Sequence, residues 1–271
     1  MIHLFSVWQD IERQFKAAGR VLLLLDYDGT LAPIVETPDS AYLSESTKQI
    51  LQELAKQGRY KVGIISGRAL DDLRRRVGIK DIVYAGNHGL EIEGPDIYFV
   101  NPIAEEMRPV FNLITRVLTK AMATVRGVRV ENKGLTLSVH YRLVEEGKSE
   151  EVDNILERVI ATARSLGKVV VTSGKKVYEV RPGVDWNKGE AIALLIDKYG
   201  KPKTKTGVLP IFLGDDTTDE DGFKVVVKQE GIAVFVGEET HDSAARYYLK
   251  SPAEVEQFLR MMRDTFSKDN L

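Results

Sequence analysis

Short apolar segments alternate with helical patterns along the first hundred residues. The segment 21–25 consists of five large apolar residues in succession, which is typical of a strand buried on both faces of a parallel sheet. The segment 44–57 has apolar residues at helical spacing, with Ser44 or Ser46 able to cap its first turn. This alternation predicts parallel strands joined by crossover helices. The predicted strands are 21–25, 61–66 and 82–85, and the predicted helices are 44–57 and 69–77.

The pattern changes near residue 103. A predicted hairpin at 91–100, around Gly94-Pro95, precedes a long helical pattern over 104–125. Two alternating segments follow, and then the order helix, strand, strand occurs a second time, which predicts a compact α+β module. Its predicted helices are 104–125 and 150–166, and its predicted strands are 128–132, 135–142, 169–172 and 177–181.

The alternation of strands and helices resumes after residue 187. We therefore predict the α/β class: a doubly wound, parallel, Rossmann-like sheet core (1–103 and 183–271) with an inserted α+β domain (104–182). The N-terminal fifteen residues predict a short amphipathic helix, 200–207 a surface loop and 267–271 a frayed end. The later predicted helices are 188–199, 219–227 and 253–266, and the later predicted strands are 208–213 and 232–236.

Composition excludes several classes of function. The 38 basic and 40 acidic residues give a net charge of -2, which argues against a general nucleic-acid binder. With no cysteine, the chain has neither disulfides nor a thiolate nucleophile. No apolar run reaches eighteen residues, and the N-terminus lacks the basic start and cleavage site of a signal peptide. A cytoplasmic location without membrane contact is the simplest interpretation.

Two carboxylates follow the first predicted strand. Asp26 and Asp28 lie at its carboxyl end, the edge where open α/β sheets bind ligands. Their side chains point the same way in an extended segment, and Gly29 lets the backbone pass close to a ligand. An Asp-Gly turn with a purely structural role is the alternative interpretation of this pair alone.

A second acidic group, 215–221, follows the predicted strand 208–213 and reaches the same edge of the sheet. So many carboxylates would repel each other and a phosphate unless a hard cation lies among them. Oxygen ligands without His or Cys indicate Mg²⁺. Asp215 is the better ligand candidate, whereas 219–221 can equally be an ordinary acidic helix N-terminus.

Two further positions fit the binding of an anion. Ser66 ends the second predicted strand before a helix, where a hydroxyl and backbone N–H groups can hold phosphate, although it can also be a simple N-cap. Lys188 begins a helix, and a cation there opposes the helix dipole. A nearby anionic pocket would compensate it.

The segments DYDGTLAPI, IISGR, NKGEA and LGDDTTDED, in this order, resemble the four motifs of the haloacid dehalogenase-type phosphatase superfamily. With GNHGLE, GLTLSVHYR and YEVRP between them, the chain resembles the trehalose-6-phosphate phosphatases within it. The resemblance covers residues 22–223 and implies a Mg²⁺-dependent hydrolase of a sugar phosphate. Its inserted domain then corresponds to the family's cap, which covers the sheet edge and binds the sugar.

The resemblance implies a role for each matched residue. Asp26 would attack phosphorus, and Asp28 would protonate the leaving sugar oxygen and then activate water. Ser66 and Lys188 would hold the phosphoryl oxygens. The implied metal ligands are Asp26, the main chain of Asp28, Asp215 and, nearby, Asp216, and the implied substrate-binding residues are Gly67, Arg68, Asn87, His88, Glu131, Lys133, Arg142 and Glu179.

Alternatives remain at the level of substrate and class. In the inserted domain, Lys133-Gly134 can be a plain hairpin turn, and His140 with Arg142 a solvated strand face. The substrate can be another sugar phosphate, such as sucrose phosphate or mannosyl-3-phosphoglycerate. A non-catalytic, sugar-phosphate-sensing subunit of a trehalose synthase complex is the alternative from another class. No synthase domain is recognisable, so a trehalose-6-phosphate synthase partner would be a separate chain.

Overall fold

The computed structural model describes residues 1–35, 42–145, 147–174, 176–200, 207–238 and 242–267. The chain divides into two compact units. The first comprises Met1–Phe99 and Trp186–Leu271, and the second comprises Val100–Asp185. Most of the predicted loop at 200–207 and of the predicted frayed end lies outside the described residues. Over the described residues, no helix has both the length and the apolar character needed to cross a bilayer.

A nine-stranded, mainly parallel sheet forms the centre of the first unit. In order across the sheet, its strands are β1 (Ile2–His3), β13 (Tyr247–Leu249), β12 (Ile232–Val236), β11 (Val208–Gly214), β2 (Arg20–Asp26), β3 (Tyr60–Ile65), β4 (Val83–Gly86), β5 (Glu91–Gly94) and β6 (Ile97–Val100). In this spatial order, each pair of neighbouring strands from β1 to β4 is parallel, whereas β4 and β5 pair antiparallel. The sheet therefore carries the predicted hairpin at one edge.

Helices cover both faces of this sheet. They are α1 (Trp8–Ala17), α2 (Glu45–Lys56), α3 (Leu70–Val77), α7 (Lys188–Gly200), α8 (Glu220–Lys228) and α9 (Pro252–Ser267). In β2, Leu23 and Leu25 belong to one apolar core, with α1, α2, α3 and α9, while Leu22 and Leu24 belong to a second, with α7 and α8. Successive strand residues point to opposite faces, so one fully apolar strand supplies both cores. This confirms the predicted α/β fold class.

The start of α2 is held by a residue far along the chain. Ser44 caps the helix, since its Oγ accepts a hydrogen bond from the Thr47 backbone N–H. Glu256 of α9 accepts hydrogen bonds from the hydroxyls of Ser44, Ser46 and Thr47 at 3.0, 2.8 and 2.8 Å. The pKa of Glu256 is lowered from 4.5 to about 2. The hydrogen bond from Arg260 is the largest cause, the three hydroxyl hydrogen bonds add to it, and burial opposes it.

Glu256→Gln is expected to lower the free energy of unfolding by about 1 kcal/mol at pH 7, because the Arg260 and Glu256 side chains are 46% and 24% exposed and solvent partly screens the pair. A depressed pKa in the folded state stabilises above pH 4.5, and that contribution is lost as the pH falls toward 2. The gap between wild type and variant should therefore close over this range in urea unfolding experiments. Glu157→Gln, in an exposed pair with Arg164, is the control. A gap that stays constant down to pH 2 would contradict the pKa shift.

The second unit is an antiparallel four-stranded sheet with helices on one face. The strands, in spatial order, are β7 (Arg129–Asn132), β8 (Leu137–His140), β10 (Val177–Pro182) and β9 (Val169–Gly174), and the helices are α4 (Pro102–Glu106), α5 (Arg108–Ala121) and α6 (Ser149–Ser165). Leu137, Val139 and Val180 of the sheet pack with Phe111 and Leu156 of the helices in a separate apolar core. Alternate strand residues therefore face away from this core.

The single predicted helix over 104–125 is wrong. The segment forms α4 and α5, with a break at Met107, and α5 ends at Ala121. Pro109 is the second residue of α5. Backbone N–H groups in the first turn of a helix have no carbonyl partner within the helix, so a proline there removes no helical hydrogen bond. In an unbroken helix, that proline would remove a hydrogen bond and clash with the preceding turn.

Two short strands were not predicted, the edge strand β1 and its neighbour β13, and the N-terminal helix begins later than expected. The strands β1 and β13 have two and three residues, too few to show an alternating pattern. Leu4 and Val7 belong to a 3-10 turn, while α1 begins at Trp8 and buries Ile11 and Phe15.

Candidate active site

The carboxyl ends of four parallel strands deliver the candidate residues to one edge of the first unit's sheet. Asp26 is the last residue of β2, Ser66 follows β3, Asn87 follows β4 and Asp215 follows β11. The strands β11, β2, β3 and β4 are consecutive neighbours in the sheet. The positions that the sequence predicts at one edge are therefore brought together there, as expected for parallel strands.

A buried charge cluster lies at the centre of this edge. Lys188 Nζ lies 2.6 Å from Asp26 Oδ1 and 2.7 Å from Asp219 Oδ1. The exposed fractions of Asp26, Lys188 and Asp219 are 4%, 3% and 0%, so solvent screens these pairs little. Lys188, which opposes the dipole of its own helix α7, thus has two carboxylates to compensate it.

The electrostatics of the cluster are dominated by burial and by an excess of negative charge. Burial raises the pKa of Asp26, Lys188 opposes that shift, and Asp219 and Asp215 add to it. Burial alone would lower the pKa of Lys188, but Asp219 and Asp26 raise it above its ordinary value. Lys188 therefore stays protonated, and one ammonium group faces three carboxylates.

One carboxylate oxygen from each of Asp26, Asp215 and Asp219 lies within 4.8 Å of the other two. Hard oxygen donors with no His or Cys are the ligands that Mg²⁺ prefers, and a divalent cation would offset the excess negative charge. Asp219 already accepts from Lys188 through Oδ1 and from the backbone N–H groups of Asp215 and Asp216 through Oδ2. Asp219 therefore orients the loop that follows β11, and Asp26 and Asp215 are the better cation ligands. The residues fit the expected metal.

Two glycines allow this close approach. A Cβ on Gly29 would lie 2.0 Å from Asp215 Oδ2, and one on Gly214 would lie 2.3 Å from Asp219 Cγ. Gly29 also has a φ of +86°, which favours glycine. Both residues are therefore needed to bring the two acidic segments together.

Asp216 is not part of this carboxylate group. Its side chain caps a 3-10 turn over Thr217–Asp219 and accepts from the Thr218 backbone N–H at 2.5 Å. Burial opposes the shift, but this hydrogen bond and the charge of Lys188 lower the pKa of Asp216. The predicted ligand role of Asp216 stays a prediction, and the third carboxylate of the group belongs to Asp219.

Asp28 forms a bidentate ion pair. Arg68 donates to Asp28 Oδ2 from Nε at 2.8 Å and to Asp28 Oδ1 from a terminal nitrogen at 2.6 Å. The other terminal nitrogen of Arg68 donates to Asp72 at 3.1 Å. Such planar pairing suits a guanidinium and fixes the carboxylate's orientation.

The loop that follows β3 is held by the loop that follows β4. The backbone N–H groups of Asn87 and His88 donate to the carbonyls of Arg68 and Ser66 at 2.7 and 2.9 Å. Asn87 and His88 have φ values of +50° and +57°, a strained backbone that is common at functional sites. A Cβ on Gly67 would lie 2.7 Å from His88 Nε2, so the imidazole closely covers this loop.

Ser66 is not the N-cap of the following helix. The cap residue of α3 is Ala69, and Ser66 Oγ instead accepts from the Arg68 backbone N–H at 3.1 Å. The N-cap alternative is therefore wrong. Glu91 accepts from the first helical N–H, at Leu70, and also from Asn87 Nδ2.

Three of the four expected sugar-binding residues share one surface of the second unit. Glu131 and Glu179 both pair in register with Ser138, so they lie on the same face of the sheet. Lys133 follows β7 directly and lies 3.3 Å from Glu179. Arg142 lies instead in an exposed turn after β8, which ends at His140 and not at 142 as predicted.

Comparison with known proteins identifies the family. The model of the trehalose-phosphatase family matches residues 24–253. The chain belongs to the trehalose-phosphatase family. This membership places it among the phosphoric monoester hydrolases, and it agrees with the family resemblance of the sequence motifs.

Relatives of this trehalose-phosphatase family member include plant proteins. It is 37% identical over 249 residues to probable trehalose-phosphate phosphatase 4 of Oryza sativa subsp. japonica, covering 90% of this chain and 66% of the rice protein. It is 37% identical over 259 residues to trehalose 6-phosphate phosphatase RA3 of Zea mays, covering 90% and 70%. The chain thus spans about two thirds of the length of these relatives.

Solved structures show the same fold. The C-terminal domain of a Candida albicans trehalose-6-phosphate phosphatase is 25% identical with a TM-score of 0.77, covering 94% of this chain and 96% of that one. An Aspergillus fumigatus trehalose-6-phosphate phosphatase is 29% identical with a TM-score of 0.63, covering 95% and 97%. A haloacid dehalogenase-like hydrolase of Bacteroides thetaiotaomicron, at 19% identity and a TM-score of 0.61, shares the fold.

Sequence reasoning missed several residues of the site. Asp219 was weighed only as part of an acidic helix start, yet it is fully buried and bonded to Lys188. Asp72 and Glu91 orient Arg68 and Asn87. Glu91 is the last residue of the GNHGLE segment, four positions after Asn87, and this was the available signal.

Proposed function

We propose that the chain hydrolyses trehalose 6-phosphate to trehalose and phosphate, with Mg²⁺ as cofactor and an aspartyl phosphate on Asp26 as intermediate. The observation that carries the proposal is the buried Asp26–Lys188–Asp219 cluster, with Asp215 beside it at the sheet edge. The names of the plant and fungal relatives support the choice of substrate.

In the first step, an Asp26 carboxylate oxygen forms a bond to phosphorus, and the bond from phosphorus to the sugar oxygen breaks. Asp28 gives its proton to that oxygen, so trehalose leaves as a neutral alcohol. Burial raises the pKa of Asp26, and the ammonium group of Lys188 offsets part of that rise, so Lys188 favours the nucleophilic carboxylate form. Ser66 and Lys188 are the proposed donors to the phosphoryl oxygens.

In the second step, Asp28 accepts a proton from water, whose oxygen bonds to phosphorus while the bond to Asp26 breaks. Free phosphate leaves, and both carboxyl groups return to their starting states. Mg²⁺, held by Asp26, the Asp28 main chain and Asp215, would supply charge neutralisation for the phosphoryl group when bound.

Arg68 pairs with Asp28, the proposed general acid, and is also proposed to bind the phosphate of the substrate. Both Asp28 oxygens accept from this guanidinium, which fixes the carboxylate and leaves a second lone pair on each oxygen for a proton. The phosphate of the substrate is an anion that competes with Asp28 for the guanidinium. Arg68, with Gly67, Asn87 and His88 around it, is therefore proposed as part of the phosphate-binding loop.

In the second unit, we propose that Glu131, Lys133, Glu179 and Arg142 bind hydroxyl groups of the disaccharide. Carboxylates accept hydrogen bonds from hydroxyls, and ammonium and guanidinium groups donate to them. The proposed location is the cytoplasm, consistent with a chain that has no cysteine. A separate chain would supply the substrate as a trehalose-6-phosphate synthase.

The test is phosphate release from a panel of sugar phosphates, including sucrose phosphate and mannosyl-3-phosphoglycerate, with and without Mg²⁺. We expect kcat/KM for trehalose 6-phosphate to exceed that of monosaccharide phosphates at least about a hundredfold, the discrimination that a few lost sugar hydrogen bonds produce. EDTA should abolish turnover, and added Mg²⁺ should restore it.

Asp215→Asn removes the charge of one proposed Mg²⁺ ligand. The variant should therefore require a higher Mg²⁺ concentration than wild type to reach half its maximal rate. Comparable rates on unrelated monosaccharide phosphates would refute the substrate assignment. A rate that survives EDTA unchanged would refute the metal.

A further inference from the structure

The second unit presents a polar sheet face opposite its apolar core. Glu131 of β7 and Glu179 of β10 flank Ser138 of β8 in one row across three strands. Ser138 is only 1% exposed, which places it beneath the longer side chains of the row. The strand residues on either side of Ser138, Leu137 and Val139, face the core instead.

Two pairs of polar side chains lie next to each other on this face. Lys133 Nζ lies 3.3 Å from Glu179 Oε1, with side chains 12% and 15% exposed. His140 Nε2 lies 2.8 Å from Glu131 Oε2, with side chains 24% and 29% exposed. All four side chains are thus partly shielded from solvent, and each pair joins separate strands or their ends.

The strand register sets the contact between His140 and Glu131. His140 pairs across the strands with Arg129, and Ser138 pairs with Glu131, so His140 is the diagonal neighbour of Glu131 on the same face. A carboxylate can only accept a hydrogen bond, so the Nε2–H of the imidazole donates it. Within the described residues, the second oxygen, Oε1, makes no hydrogen bond.

We propose that His140 is a positioning residue for sugar recognition: it fixes the Glu131 side chain through Oε2 so that Oε1 accepts from a hydroxyl group of the disaccharide. This inference rests on the proposed function, since it takes Glu131 as a sugar ligand.

A positioning residue such as His140 strengthens binding because it orders the Glu131 side chain before the sugar binds. A glutamate side chain loses rotamer freedom when it is immobilised by a ligand, and that loss weakens binding. The hydrogen bond to His140 fixes the side chain before the sugar arrives. The same hydrogen bond is the largest cause of the lowered pKa of Glu131, which burial opposes. Glu131 therefore remains a hydrogen-bond acceptor at neutral pH.

The test compares His140→Ala with His140→Gln, because the Gln amide can still donate to Glu131. For trehalose 6-phosphate, His140→Ala should raise KM about tenfold, the effect of losing one charge-assisted hydrogen bond, and should change kcat less than about twofold. His140→Gln should recover most of the KM. The inhibition constant of added trehalose should follow KM in both variants.

A second histidine provides the matched control. His3 lies 3.0 Å from Glu254 in the first unit, with side chains 23% and 25% exposed, much like His140 and Glu131. His3→Ala should leave KM within about twofold of wild type. Thermal unfolding of each variant shows which of them are folded. If His140→Ala does not fold, the KM of His140→Gln still tests the positioning role of His140.

A double variant separates positioning from an independent effect. In a Glu131→Ala background, His140→Ala should raise KM no further, because its role acts through Glu131. Additive increases in KM would overturn the inference, as would a fall in kcat equal to the rise in KM or a failure of His140→Gln to recover KM.

The outcomes also separate this inference from the proposed function. If Glu131→Ala raises KM and His140→Ala does not, His140 has no positioning role, while the sugar-binding role of Glu131 stands. If Glu131→Ala leaves KM unchanged, or wild type shows no preference for trehalose 6-phosphate, the proposed sugar site fails and this inference fails with it.

Discussion

Asp26→Asn is expected to reduce kcat on trehalose 6-phosphate by at least about 10⁴-fold, the scale of loss when a catalytic nucleophile is removed. The Asn amide oxygen is a poor nucleophile and cannot form the aspartyl phosphate. The fold should remain intact, because Lys188 keeps its second carboxylate partner, Asp219. Steady-state kinetics and circular dichroism on the same preparation measure both effects.

Asp221→Asn is the control for that variant. Asp221 lies in the same acidic segment but is exposed and pairs with Lys224 at 3.1 Å. Its replacement should leave kcat within about twofold of wild type, as expected for a surface position. Turnover at the wild-type rate in Asp26→Asn would exclude Asp26 as the nucleophile.

Lys188→Met is expected to give the largest loss of stability, about 3–5 kcal/mol, because it leaves buried carboxylates without their counter-charge. Asp26 and Asp219 are 4% and 0% exposed, so water cannot solvate the charges that remain. Methionine has a similar length, so the loss of packing is small by comparison. Urea unfolding in EDTA measures the change without any contribution from bound metal.

Two further variants test the electrostatic origin of that loss. Lys224→Met removes an exposed ion pair and should change the free energy of unfolding by less than about 1 kcal/mol. Adding Asp26→Asn to Lys188→Met should recover part of the lost stability, since one uncompensated charge is gone. Equal stability of Lys188→Met and wild type would show that the buried charges are compensated elsewhere.

The sequence was sufficient to predict the sheet and the position of the first carboxylate. Five successive apolar residues before Asp26 are typical of a strand buried on both faces, and the structure divides them between two apolar cores. Because parallel strands share one carboxyl edge, the segments after β2, β3 and β11 had to meet. The break in the predicted helix over 104–125 could also have been read from Pro109.

The partners within the site were harder to predict, because they depend on how loops turn back. Acids at a helix start are common, so nothing in the sequence distinguishes Asp219, which is buried against Gly214 and Lys188, from the exposed Asp221. The pairing of Asp28 with Arg68 joins residues forty positions apart in two different loops. Sequence spacing carries no information about such contacts.

The stereochemical course at phosphorus tests the covalent mechanism most directly. Each in-line displacement inverts the configuration, so two successive displacements give net retention. With trehalose 6-phosphorothioate that is chiral at phosphorus through two oxygen isotopes, hydrolysed in water that carries the third isotope, the account predicts that chiral thiophosphate is released with retention. Release with inversion would mean that water attacks the substrate directly and would contradict the aspartyl phosphate on Asp26.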